Sequence, residues 1–195
     1  MSFLRLWVLG YRSPARYAEA LRSAPAPRWG LYAVIARGLM GGLLLYLPLQ
    51  LMGRVPPLRS YLAFLPTERY YGALVWLGPL VFLAHWLMAG GLTHVVLRLS
   101  GRASDMDVIL NLSGMTALVV ATILLAWDWL ILALGWGNQY ALGISHLIID
   151  GWAIALSVVG LKRLLGVPTW LGIALNLVVI ALWMPFGIMF MRSPL

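Results

Sequence analysis

Five stretches of the chain stay apolar for about twenty residues or more, over roughly 30–52, 70–97, 108–134, 142–161 and 169–191, and polar positions gather between them. That is the length an α-helix needs to cross a hydrocarbon core of about 30 Å. The pattern predicts an all-α, polytopic membrane protein with five transmembrane helices in one domain over 29–195, preceded by a basic segment over 1–28. The second span is 28 residues long, which at 1.5 Å per residue makes about 42 Å of helix, so it has to tilt, bend or protrude. Pro79 offers a bend. The longest loop, 53–69, is apolar at Tyr61–Leu65 and is expected to rest in the interface. Gly135–Ser145 makes a glycine-rich turn, and Gly166-Val-Pro168 separates the last two spans.

Within residues 1–28, arginines alternate with Phe3, Leu6, Trp7, Tyr11, Tyr17 and Leu21. Ser13-Pro14 is a helix start: a capping hydroxyl, then proline at the first helical position. Tyr17, Ala18 and Leu21 share one face while Arg16, Glu19 and Arg22 point elsewhere. The expectation is an amphipathic helix lying on the membrane surface, with Arg5, Arg12, Arg16, Arg22 and Arg28 towards anionic head groups. Phe3–Leu9 is too short and too basic for a cleaved signal peptide.

Composition narrows the function classes. The 195 residues are 62% hydrophobic and 10% charged, with a mean hydropathy of +0.89, whereas a soluble domain is about half apolar and a quarter charged. Zero cysteines exclude disulfides, thiolate catalysis and cysteine metal sites. The net charge of +8 sits at span boundaries rather than on a soluble face, so it sets topology and does not point to nucleic acid. With the N-terminus inside, ten Lys and Arg lie inside (Arg5, Arg12, Arg16, Arg22, Arg28, Arg37, Arg98, Arg102, Lys162, Arg163) against four outside (Arg54, Arg59, Arg69, Arg192). The orientation is N-in, C-out. Arg37 is placed a turn or two inside the first span, within snorkelling reach of the cytoplasm. Gly38 and Gly42, four apart, allow another helix close approach.

Ionisable groups inside spans are costly, so each is a site hypothesis. Near the outer surface stand Asp128, His146 and Asp150. His146 and Asp150 are four apart on one helical face, placed for a charge-assisted hydrogen bond. One His and two Asp form a thin donor set for zinc, and a mutually satisfied patch anchored by Trp127, Trp129 and Trp136 competes with an ion or proton site. Near the inner surface, Asp105, Asp107 and Asn111 open the third span, with Arg98, Arg102, Arg37 and His94 close by. Helix capping accounts for the acids; a head-group or ion site is the alternative. His85 stands alone near mid-membrane, expected neutral and bonded to a neighbour's carbonyl or hydroxyl. His94 and His146 lie at other depths, which does not suit a paired haem. Asn176 is expected to bond between helices. No metal and no cofactor is assigned.

The layout resembles the bacterial branch of the Yip family, five-span membrane proteins named for binding Ypt/Rab GTPases. The resemblance is carried by Ser13-Pro14-Ala-Arg-Tyr17 ending in Ala24-Pro25-Ala-Pro27, by His94-Val-Val-Leu-Arg-Leu-Ser-Gly101 leading into Asp105, and by Trp152-Ala-Ile-Ala-Leu-Ser-Val-Val-Gly160-Leu-Lys with Gly166 following. It implies no catalytic residues. Eukaryotic relatives are trafficking adaptors with a longer cytosolic N-terminal region, a role that about thirty residues here do not reproduce. Together with the arginine-rich composition, the resemblance implies a bacterial inner membrane. The expected function is non-enzymatic: an adaptor or accessory subunit, partnered by another membrane protein or by itself, in a bilayer with anionic head groups. The alternative is a small transporter or lipid-handling protein, for which Asp128, Asp150 or His85 should line a water-accessible cavity. An intramembrane enzyme would require Asp105, Asp107 and His94 to converge.

Overall fold

The computed structural model describes residues 2–23, 28–136 and 138–190; Ala24–Pro27 and Arg192 lie outside the described residues. Every regular element among the described residues is a helix. Five helices are long and apolar enough to cross a membrane: α3 (Arg28–Leu51), α4 (Tyr70–Leu99), α5 (Met106–Leu134), α6 (Gln139–Leu165) and α7 (Thr169–Phe190). Two shorter helices precede them, α1 (Phe3–Arg12) and α2 (Pro14–Leu21).

Local chemistry sets the ends. Asp105 caps α5 by accepting the backbone N–H groups of Asp107 and Val108 at 2.9 and 3.1 Å, and Asn138 caps α6 by accepting that of Ala141 at 2.7 Å. Gly135 and Gly166 close the same two helices in the left-handed conformation, at φ 64° and 68°. Within α3, the stretch Gly42–Tyr46 widens into a π-helical turn.

The spans meet backbone to backbone where glycine permits it. A Cβ built on Gly114 of α5 would lie 2.6 Å from the Cα of Gly30, so α3 and α5 touch there with no side chain between them. Gly38 and Gly42 do provide the expected close approach, and the partner is α4: their Cβ atoms would lie 2.7 Å from the Cα of Pro79 and 2.8 Å from the carbonyl of Val75. An outer cluster of Leu45, Leu49, Tyr70, Tyr71 and Leu74 seals that trio. An inner cluster draws on all seven helices, including Leu6, Tyr17, Leu97, Leu112, Leu156 and Leu171. The last span is peripheral. Its buried residues, Leu171, Gly172 and Leu175, all lie near its inner end.

The surface helix expected over 1–28 is instead a helical hairpin built into the bundle. Phe3 stacks on Trp29 at the start of α3, with ring centroids 5.2 Å apart. Gly10 fits against Val119, and its carbonyl accepts from Trp152 Nε1 at 3.2 Å. The chain then turns at Ser13, whose side chain makes no cap bond, and returns. Tyr17 donates or accepts with Thr116 Oγ1 at 3.2 Å, Arg22 donates to the Arg163 carbonyl at 2.7 Å, and Glu19 pairs with Arg163. Val119 is the fourteenth of 29 residues in α5 and Trp152 the fourteenth of 27 in α6. The hairpin tip therefore reaches the middle of both spans. Its face of Leu6, Gly10, Tyr17, Ala18 and Leu21 is buried, because Leu112, Val119, Leu156 and Leu161 of α5 and α6 give it an apolar seat within the bundle. Burial pushes the Tyr17 hydroxyl well above the usual phenol range.

Candidate functional site

The outer polar group forms because α5 and α6 run antiparallel through a short turn. Asp128 lies seven residues before Gly135 and His146 seven residues after Gln139, which puts them level. His146 Nε2 meets Asp128 Oδ1 at 2.7 Å, with Asp128 buried. The expected bond between His146 and Asp150 gives way to this pair, since a facing helix presents its carboxylate more directly than a residue one turn along. Trp127 Nε1 donates to Ser145 Oγ at 2.7 Å and Trp129 Nε1 to the Leu44 carbonyl at 2.8 Å, so two of the three anchoring tryptophans lock the helices around the pair. Trp136 is exposed.

Asp150, half-buried, lies within electrostatic reach of both His146 and Arg37. The place of Arg37 corrects the snorkelling expectation. Nine residues from the start of α3 put it about 14 Å deep, and its guanidinium carbon sits 4.1 Å above the Phe82 ring and 5.8 Å from that of Trp183. Ring faces, not water, receive the cation. Without Arg37, the expected count becomes nine positive charges inner against four outer. His85 packs beside the same tryptophan, centroids 4.4 Å apart. The Val179 backbone lies beside its ring, as expected of a neighbour's carbonyl, while its Nε2 is buried with no hydrogen-bond partner. Asp128, His146, Asp150, Arg37 and His85 thus come from four helices, α3 to α6, and descend from the outer end to mid-bundle.

The inner residues separate. Asp105 is occupied by its cap, and both Asp105 and Asp107 are exposed. Asn111 is buried, and its Oδ1 accepts from the Gly30 N–H at 2.8 Å, which satisfies a free donor at the start of α3. His94 Nδ1 pairs with Ser104 Oγ at 2.9 Å. Among the described residues, no three His, Asp or Glu side chains come together as a metal set. Arg5, Arg12, Arg16, Arg22 and Arg28 are all exposed.

One feature of the interior escaped the sequence reading. A cavity of about 50 Å³ between α4, α5, α6 and α7 is lined by Thr93, Ser113, Ser157 and Asn176, one polar residue from each helix, among apolar neighbours including Val179. It has room for about one or two waters. Asn176 donates to the Gly172 carbonyl of its own helix at 2.8 Å, not between helices. The signal was present as one small polar residue per span at similar depth, but depth is comparable only once the helices are aligned. Asp128, Asp150 and His85 do not line this cavity. Matched against family models, curated proteins and solved structures, the chain finds no match.

Proposed function

We propose that this multi-pass membrane protein is a non-enzymatic adaptor or accessory subunit of a membrane complex, with the bacterial inner membrane as its site. One observation carries the reading: several polar groups inside the spans are engaged by other helices of the bundle. Asp128 holds His146, Arg37 lies on aromatic rings near Asp150, and Asn111 and Gln50 bond to backbone N–H groups of other helices. Such groups spend their polarity on helix association, which in lipid relies on packing and interhelical hydrogen bonds rather than on hydrophobicity. On this reading its associates are a bilayer with anionic head groups and another membrane protein or a second copy of itself. The test is native mass spectrometry after gentle extraction from the source membrane. A stoichiometric protein partner, kept in His146→Gln and His85→Gln variants, supports the reading. A chain that travels alone with a defined small solute overturns it.

A second reading, a small transporter, draws on the unpartnered Nε2 of His85 and the polar cavity beside Val179. It predicts that His85→Gln abolishes solute or proton flux in proteoliposomes while the fold is kept.

A further inference from the structure

The hairpin carries its arginines alongside the apolar middle of two spans, where lipid around them would make arginine costly. Arg12 follows Gly10 by two residues, and Gly10 sits at the midpoints of α5 and α6. Arg16 and Arg5 lie on the returning and entering limbs, between that tip and the inner end marked by Trp29 and Arg163. All three are exposed on the side of the hairpin that faces away from the bundle. No side-chain hydrogen bond or ion pair to a described residue engages any of them. Helix α1 has no acidic residue, and the carboxylate of α2, Glu19, is taken by Arg163. A guanidinium turned towards acyl chains at that depth is strongly disfavoured unless something polar comes to it.

We propose that the outer face of this hairpin is a binding site for the phosphate of an anionic glycerophospholipid of the inner leaflet, drawn below the plane of the neighbouring head groups. The planar guanidinium fork matches phosphate oxygens in a bidentate manner. Along this face the lipid is the ligand whose phosphate is already at the membrane. Leu4 and Val8, exposed on either side of Arg5 along α1, offer apolar contact to its chains. The site differs from ordinary attraction of a basic segment to the surface, where Arg22 and Arg28 would serve equally well. It rests on the N-in orientation and not on the adaptor reading.

The experiment uses the full chain in nanodiscs of mixed phosphatidylglycerol and phosphatidylcholine, released for native mass spectrometry. Both lipids carry the phosphate, but the choline ammonium of phosphatidylcholine repels the arginines, so phosphatidylglycerol should be retained about tenfold over phosphatidylcholine. That preference should vanish in the Arg12→Gln/Arg16→Gln double variant and persist in Arg22→Gln/Arg28→Gln. A head-group photo-crosslinking phosphatidylglycerol, applied to the wild type, should label peptides within 3–21; this arm stands even if the double variant fails to fold. Equal retention of the two lipids, labelling confined to other segments, or displacement of the lipid by millimolar glycerol phosphate would each overturn the proposal, the last by showing a small-anion site.

Discussion

The trio α3–α4–α5 and the outer halves of α6 and α7 face the same solvent but are held in different ways. In the trio, backbones touch at Gly30–Gly114 and Gly38–Pro79, and side chains reach across to main-chain groups, as Asn111 does to Gly30, Gln50 to Gly72 at 2.9 Å and Trp86 to the Leu110 carbonyl at 2.9 Å. Around α6 and α7, exposed Ile144, Leu147, Leu177, Val178 and Met184 face outwards, and the outer ties are hydrogen bonds: Asp128–His146 and Trp127–Ser145 between α5 and α6, and the Tyr70 hydroxyl to the Met189 carbonyl between α4 and α7. Lipid tails replace apolar neighbours at little loss, so a membrane helix gains most from contacts that lipid does not imitate: close backbone approach and hydrogen bonds. The trio has both, and the outer periphery has mainly the second.

The contrast is broken most severely at Gly114. Leucine there should cost about 3 kcal/mol or more, because the neighbour is the α3 backbone and has no rotamer to yield. Size-exclusion chromatography should show loss of the monodisperse peak, and a normal peak would mean the crossing is not as close as described. Next, Leu118→Ala in the inner core should cost about 2 kcal/mol, near the low end for buried leucines since lipid also solvates the unfolded helix. Leu177→Ala on the outer face of α7 should stay within about 0.5 kcal/mol. Equal losses in a mixed-micelle unfolding titration would remove the distinction between the regions.

Asn111→Ala should cost about 1–2 kcal/mol by leaving the Gly30 donor unpaired, and Asn176→Ala, which breaks only a bond within its own helix, should cost less. A double-mutant cycle with Asp128→Asn and His146→Gln should return a coupling of about 0.6 kcal/mol, at most about 1.7; additive effects would show that the pair does not tie α5 to α6. The smallest effect is expected at the exposed Glu19–Arg163 pair. There Glu19→Gln should shift stability by less than about 1 kcal/mol and lose even that at high salt.

What was legible before any coordinates follows from the kind of information each feature needs. The five spans, the Asp105 cap, the glycine ends and the Gly38–Gly42 approach depend on local composition, on end chemistry or on a spacing within one helix. A single sequence states all of these. The amphipathic face of Tyr17, Ala18 and Leu21 was legible for the same reason, but its depth was not: periodicity identifies which side of a helix is buried without saying what buries it. The partner of His146, the seat of Arg37 over Phe82 and the cavity shared by Thr93, Ser113, Ser157 and Asn176 depend on which helices are neighbours and how they are aligned along the membrane normal. Hydropathy by itself determined how many span-length helices the chain forms, and the capping residues determined where several of them end. Only the tertiary structure decided which polar groups meet and how deep the arginine hairpin goes, because an apolar helix is equally content beside any other and its neighbours are chosen by glycine contacts and interhelical hydrogen bonds.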